Sequence, residues 1–131
     1  MRRGLLIANQ WVDAPDTLVI RSPFSGEIVG EVARAGPAEL ERAVQATVAA
    51  FEVARSLSSA KRAELLGRTI DGLKKRRDEL ARTITLEAGK PIRLSRGEVD
   101  RAISTFTVAM EESRRIGGEV IPLDVNAAAE G

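Results

Sequence analysis

The hydrophobic period of this chain changes once, at Gly36, from two residues to about 3.6, and that change constrains the fold more than any other feature. Before it, short β-branched and apolar runs are separated by turn residues. Leu5-Leu6-Ile7-Ala8 and Trp11-Val12 flank Asn9-Gln10, which predicts a hairpin whose tip uses the tolerance of Asn9 for positive φ. Ala14-Pro15-Asp16 is a second turn. Thr17-Leu18-Val19-Ile20 reads as a strand that stops at Ser22-Pro23, and Ser25-Gly26-Glu27 reverses the chain into Ile28-Val29-Gly30-Glu31-Val32-Ala33.

After Gly36 the pattern is helical. Pro37 suits a first turn, and Leu40, Ala43, Val44, Thr47, Val48, Phe51 and Ala54 mark one stripe ending near Arg55. Ser58 or Ser59 can cap a second helix with Ala63, Leu66, Ile70 and Leu73 on its apolar face. Asp78 is the expected cap of a short third helix carrying Leu80, Ala81 and Ile84, stopped by Gly89 and Pro91. A long fourth helix is expected from about Ile92 to Ile116, with a face of Val99, Ala102, Ile103, Phe106, Ala109, Met110, Ser113 and Ile116. Gly97 inside it implies close packing against a neighbour. Glu119 to Leu123 reads as a last extended piece, and Asn126 to Gly131 as a loose end. The fold class is α+β, N-terminal strands and a hairpin followed by about four helices.

Composition excludes most catalytic kits. With no Cys and no His, the chain supplies no thiolate, no imidazole base, no disulfide and no usual transition-metal ligand. Twenty Lys and Arg against 19 Asp and Glu leave +1, no field to gather nucleic acid or an anionic membrane. No run approaches the ~18 apolar residues of a membrane span, and the apolar run before Asn9 is too short for a signal-peptide core, so a soluble, cytoplasmic chain is expected.

The remaining motifs are modest. Lys74-Lys75-Arg76-Arg77 is best read as a solvated helix end whose cations offset the macrodipole, since no aromatic residue lies nearby to stack on bases. Gly89-Lys90 lacks the earlier Gly and the following Ser or Thr of a phosphate loop. Glu98 with Asp100 and Glu111 with Glu112 are too close in sequence to face each other on a helix. Glu98 and Arg101, three apart, form either a local ion pair or the wall of a pocket in which Arg101 offers a planar fork to an anion. Trp11 reads as core or interface area beside the hairpin.

From Leu5 to Leu123 the order of these pieces resembles the N-terminal part of the aldehyde dehydrogenase superfamily. Ile7-Ala8-Asn9-Gln10-Trp11-Val12 is similar to its opening hairpin, and Ser22-Pro23-Phe24-Ser25-Gly26-Glu27 to its Asn-Pro-x-Thr-Gly-Glu turn. Arg62-Ala63-x-x-Leu66, Glu79-Leu80-Ala81, Glu87-Ala88-Gly89-Lys90-Pro91, Gly97-Glu98-Val99 and Gly118-Glu119-x-Ile121-Pro122 continue the series. Asn9, Ser22 and Ala54 depart from the usual Gly, Asn and Trp, which touches turns and packing rather than chemistry.

The resemblance implies that residues 1–131 are the N-terminal portion of the cofactor-binding domain of an α/β enzyme, with most of the Rossmann-like sheet missing. A full-length relative would oxidise an aldehyde to an acid with NAD or NADP through a cysteine acyl-enzyme. It implies no catalytic or cofactor-binding residue in this chain, which alone would be inactive and bind no cofactor. The expected partners are the remainder of the same subunit and, at full length, further copies; neither nucleic acid nor membrane is expected. By position, Arg101 and Glu98 would line the aldehyde pocket, as in the non-phosphorylating glyceraldehyde-3-phosphate and lactaldehyde dehydrogenase-like branch. A monovalent cation would be held by main-chain carbonyls at Ile20 and Arg21 and by Glu87, with a further ligand downstream. The alternative is a self-contained helical interaction module descended from the same family.

Overall fold

The computed structural model describes residues 2–122. Strands β2 (Leu5–Ile7) and β3 (Gln10–Val12) form the expected hairpin, in register Ile7 opposite Gln10. Its two-residue tip is Ala8-Asn9, with φ of 49° and 62°. Two positive φ values match the right-handed twist of the strands, which explains why Asn is acceptable there and makes Ala8 the strained member. Trp11 is 64% exposed and stacks only against the Arg3 guanidinium, 5.9 Å from the ring centroid, so it is not core within this chain.

The larger sheet has the order β1-β5-β4, from β1 (Arg2–Arg3), β5 (Ile28–Arg34) and β4 (Asp16–Arg21). β4 and β5 are antiparallel, whereas β1 runs parallel to β5, a pairing that two arginines gave no reason to expect. The register slips between Ile20 and Arg21, where β5 carries one extra residue, Val29. At the turn, the Ser22 hydroxyl accepts the Phe24 and Ser25 N–H groups, both at 3.3 Å, and Gly26 sits at φ +74°. Ser22 thus does what an Asn would do in the same turn.

Four helices follow: α1 (Pro37–Arg55), α2 (Ser59–Lys75), α3 (Arg77–Ala88) and α4 (Ile92–Glu112). The Gly36 N–H donates to Glu39 at the start of α1 (2.9 Å), and Ser58 accepts the Lys61 N–H at the start of α2 (3.3 Å), as a cap should. Asp78 does not cap α3. That helix begins one residue earlier, continuing from α2 through Arg76 with no side-chain cap, and the Asp78 carboxylate instead accepts from Arg96 of α4 at 3.0 Å. Nor does α4 reach Ile116: Ser113 closes it, its hydroxyl donating to the Met110 carbonyl at 2.7 Å, and Ile116 is exposed. The extended piece after Gly118 joins no strand as far as Pro122, while Leu123 and the tail from Asn126 lie outside the described residues.

The helical core is small-residue packing. Ala63 and Ile70 of α2, Ala81 of α3, and Ser95 and Val99 of α4 are buried, with α4 packed against both α2 and α3. Close approach falls at Gly67, where an added Cβ would meet the Met110 sulfur at 3.6 Å. Gly97 has nothing within 4 Å of that position, so the expectation of tight packing there is wrong for this chain. The α1 stripe is likewise not core: no residue of α1 is buried, and α1 meets β2 of the hairpin and, through its Arg55 carbonyl, the Arg62 guanidinium of α2 at 2.9 Å.

Candidate functional site

The sharpest local device is the reversal between α3 and α4. Gly89 takes φ +67°, donates its N–H to the Thr85 carbonyl at 2.9 Å, and ends α3; Pro91 then starts α4. Below it, the fully buried Ser95 hydroxyl shares a 2.9 Å hydrogen bond with Thr85, which ties the two helices together without leaving a polar atom unsatisfied. The reversal sets Lys90 beside the second turn of α4, and its ammonium hydrogen-bonds the Glu98 carboxylate.

One turn further, α4 borders a cleft of ≈ 390 Å³ between the three packed helices. Leu73 of α2 with Leu80 and Ile84 of α3 line it with apolar surface, while Glu98, Arg101 and Thr105 of α4 supply its polar groups. Glu98 and Arg101 therefore do share one pocket. They do not form an ion pair there. Glu98 is committed to Lys90, and the Arg101 guanidinium has no carboxylate or carbonyl partner among the described residues. The Lys90 hydrogen bond holds the Glu98 pKa below its ordinary value against partial desolvation, with the charges of Lys90 and Arg101 adding to the effect.

On the neighbouring side of α4, Arg77 grips Asp100 with two hydrogen bonds of 2.6 Å, and Arg96 meets Asp78. That hydrogen-bonded guanidinium lowers the Asp100 pKa. In the basic run, Lys74, Lys75 and Arg76 are exposed, Arg76 pairing with Glu79 at 2.6 Å, and the part-exposed Arg77 bridges helices. Glu98 and Asp100 belong to separate pairs, as their spacing requires.

The second expected constellation is brought together only in part. Ile20 and Glu87 line one cleft of ≈ 410 Å³ between the sheet and α3, but Arg21 does not; its side chain turns to the Gly26 carbonyl at 3.2 Å. The same cleft contains Arg3 and Arg76. Three carboxylates, Glu31, Glu79 and Glu87, line it with them, and Arg76 is paired with Glu79. Among the described residues, no three acidic side chains gather as metal ligands.

Ser95 is not singled out by the sequence, and Lys90 only as part of the Gly-Lys-Pro turn, with no role at the cleft. The Gly-Lys-Pro reversal could have flagged Lys90, because a tight turn pins its Cα next to the following helix. The Arg77–Asp100 bridge spans 23 residues and leaves no local signal.

These strands followed by packed helices superpose on about a quarter of larger solved chains. Residues 11–130 match the aldehyde dehydrogenase family over most of the chain, and the chain belongs to that family. It is 37% identical over 123 residues to glutarate-semialdehyde dehydrogenase of Pseudomonas aeruginosa, covering 92% of this chain and 26% of that one. It is 33% identical to the NADP(+)-named succinate-semialdehyde dehydrogenase of Escherichia coli, with the same 92% and 26% coverage. Among solved structures, aldehyde dehydrogenase 21 of Physcomitrella patens, crystallised with the reaction product succinate, superposes with a TM-score of 0.93 at 37% identity over 99% of this chain and 27% of that one. The chain thus spans about a quarter of the length of these relatives. None of the three is named for glyceraldehyde-3-phosphate or lactaldehyde, so the expected branch finds no support in them.

Proposed function

We propose that these residues work as the N-terminal part of the cofactor-binding domain of an NAD(P)-dependent aldehyde dehydrogenase whose aldehyde carries a distal carboxylate. The activity belongs to the longer protein. The thiolate that attacks the aldehyde must come from outside these 131 residues, since they contain no Cys. The described residues present no glycine-rich strand–turn–helix to receive a pyrophosphate, so no residue here is assigned to NAD or NADP, which when bound accepts the hydride. The role of this chain is to frame one wall of the aldehyde pocket.

The observation that carries the reading is the Arg101 guanidinium, without an ion-pair partner among the described residues, at a cleft whose α2 and α3 walls are apolar, in a chain whose relatives are named for glutarate and succinate semialdehydes. A planar fork with free N–H donors suits a carboxylate, and the apolar lining of Leu73, Leu80 and Ile84 suits the methylenes between carboxylate and aldehyde. In the full enzyme, Arg101→Ala is expected to raise KM for succinate semialdehyde about tenfold relative to an uncharged aldehyde of equal length, the worth of one charge-assisted hydrogen bond. An unchanged ratio of the two KM values would remove Arg101 from substrate binding.

The same reading assigns the exposed face of α1 and the hairpin to the remainder of the subunit, places the enzyme in the cytoplasm, and makes it a homo-oligomer. Val44, Val48 and Phe51 are each at least half exposed in this chain. A self-contained interaction module would instead run as a single, sharply melting species in sedimentation and calorimetry.

A further inference from the structure

Arg101 has two acidic neighbours on its own helix, and both are occupied by other cations. Asp100 is gripped by Arg77, and Glu98, the i−3 neighbour that lines the same cleft, is held by Lys90. Residues three apart on a helix lie about 5–6 Å apart at Cβ, so Glu98 is the natural partner of Arg101. Lys90 reaches Glu98 only because the Gly89 reversal folds residue 90 back against α4. Of the pair, Glu98 is the more sheltered, its side chain 30% exposed against 45% for Lys90, so it has less water to turn to if the lysine is removed.

We infer that Lys90 is a positioning residue for anion specificity: by occupying Glu98 it keeps the Arg101 guanidinium available to the substrate carboxylate. Without Lys90, Glu98 swings to Arg101 and the cleft presents a neutralised pair in place of a cation. The inference rests on the substrate reading above for its function, but not for the exchange of partners itself.

Two measurements separate those parts. The first follows the Glu98 carboxyl by NMR titration in this chain and needs no substrate. Lys90→Met is expected to leave Glu98 titrating below the ordinary glutamate range, because Arg101 takes over, and only K90M/R101A should return it to that range. A return in K90M alone would overturn the inference. The second measures, in the full enzyme, the preference for succinate semialdehyde over an uncharged aldehyde as a ratio of kcat/KM. K90M should lower that preference about threefold, the scale of a partly exposed ion pair, and E98Q added to K90M should restore it. Wild-type preference in K90M, or no restoration by E98Q, would also overturn the inference. If instead R101A leaves the preference unchanged, the substrate reading fails, and the titration still decides whether Lys90 holds Glu98 away from Arg101.

Discussion

At Gly89 a left-handed backbone and a close neighbour coincide, since a Cβ there would lie 3.0 Å from Cγ of Pro23 in the β4–β5 turn. Gly26 shares the positive φ but has nothing within 4 Å. Gly26→Ala should therefore cost only the backbone preference, about 1 kcal/mol, whereas Gly89→Ala adds the clash and should cost about 2 kcal/mol in urea denaturation. Equal costs would mean that Pro23 yields freely. Ile70 of α2 is only 4% exposed, so Ile70→Ala should destabilise by about 3 kcal/mol. Ser95→Ala, which strands the Thr85 hydroxyl, should cost about 1 kcal/mol in the same assay.

The helices were legible in the sequence where a local rule governs them: the Ser58 cap, Pro37 in a first turn, the Gly89 stop and the 3.6-residue stripe of α2. They were not legible where a distant residue decides. Asp78 has a cap's composition, but Arg96, 18 residues on, claims its carboxylate, and the helix starts without it. Gly97 resembled a packing glycine; the contact belongs to Gly67, and only the neighbouring helix distinguishes them. Gly97→Ala should thus stabilise this chain by about 0.5–1 kcal/mol, through the lower entropy of its unfolded state. The ion pairs between elements make a second prediction. Glu98 and Asp100 have folded pKa values below their ordinary ones, so their contribution is complete above about pH 5 and disappears as the pH falls through the folded values. Asp100→Asn should be less stable than wild type at pH 7, and the difference should shrink toward pH 3 in thermal melts. A difference as large at pH 3 as at pH 7 would mean that packing, not charge, holds that end of α4.

For the whole molecule, burial is uneven. α2, α3 and α4 share one core, Ile7 and Ala33 are buried on strands and Ala14 between β3 and β4, and no residue of α1 is buried. Native-state hydrogen exchange should rank the elements accordingly, with α1 amides exchanging near the rate of local fraying and the centres of α2 and α4 close to the global limit. Protection in α1 equal to that in α2 would show that its apolar stripe is covered, by a second copy or by itself. The site divides in the same way. Arg101 and Glu98 could be named in advance because three residues on a helix is a fixed distance, while their failure to pair depends on Lys90 and could be seen only once α3 had turned.

The parallel pairing of Arg2 and Arg3 with Glu31 and Val32 also orders events in time. A ribosome delivers the first strand about thirty residues before its mate, by which point the hairpin can already have zipped, and β5 then meets β4 across a short turn before it closes the longer loop to β1. The amino terminus is thus the last edge of the sheet to be sewn on, and a nascent chain halted before Val32 would leave those two arginines waiting in solvent.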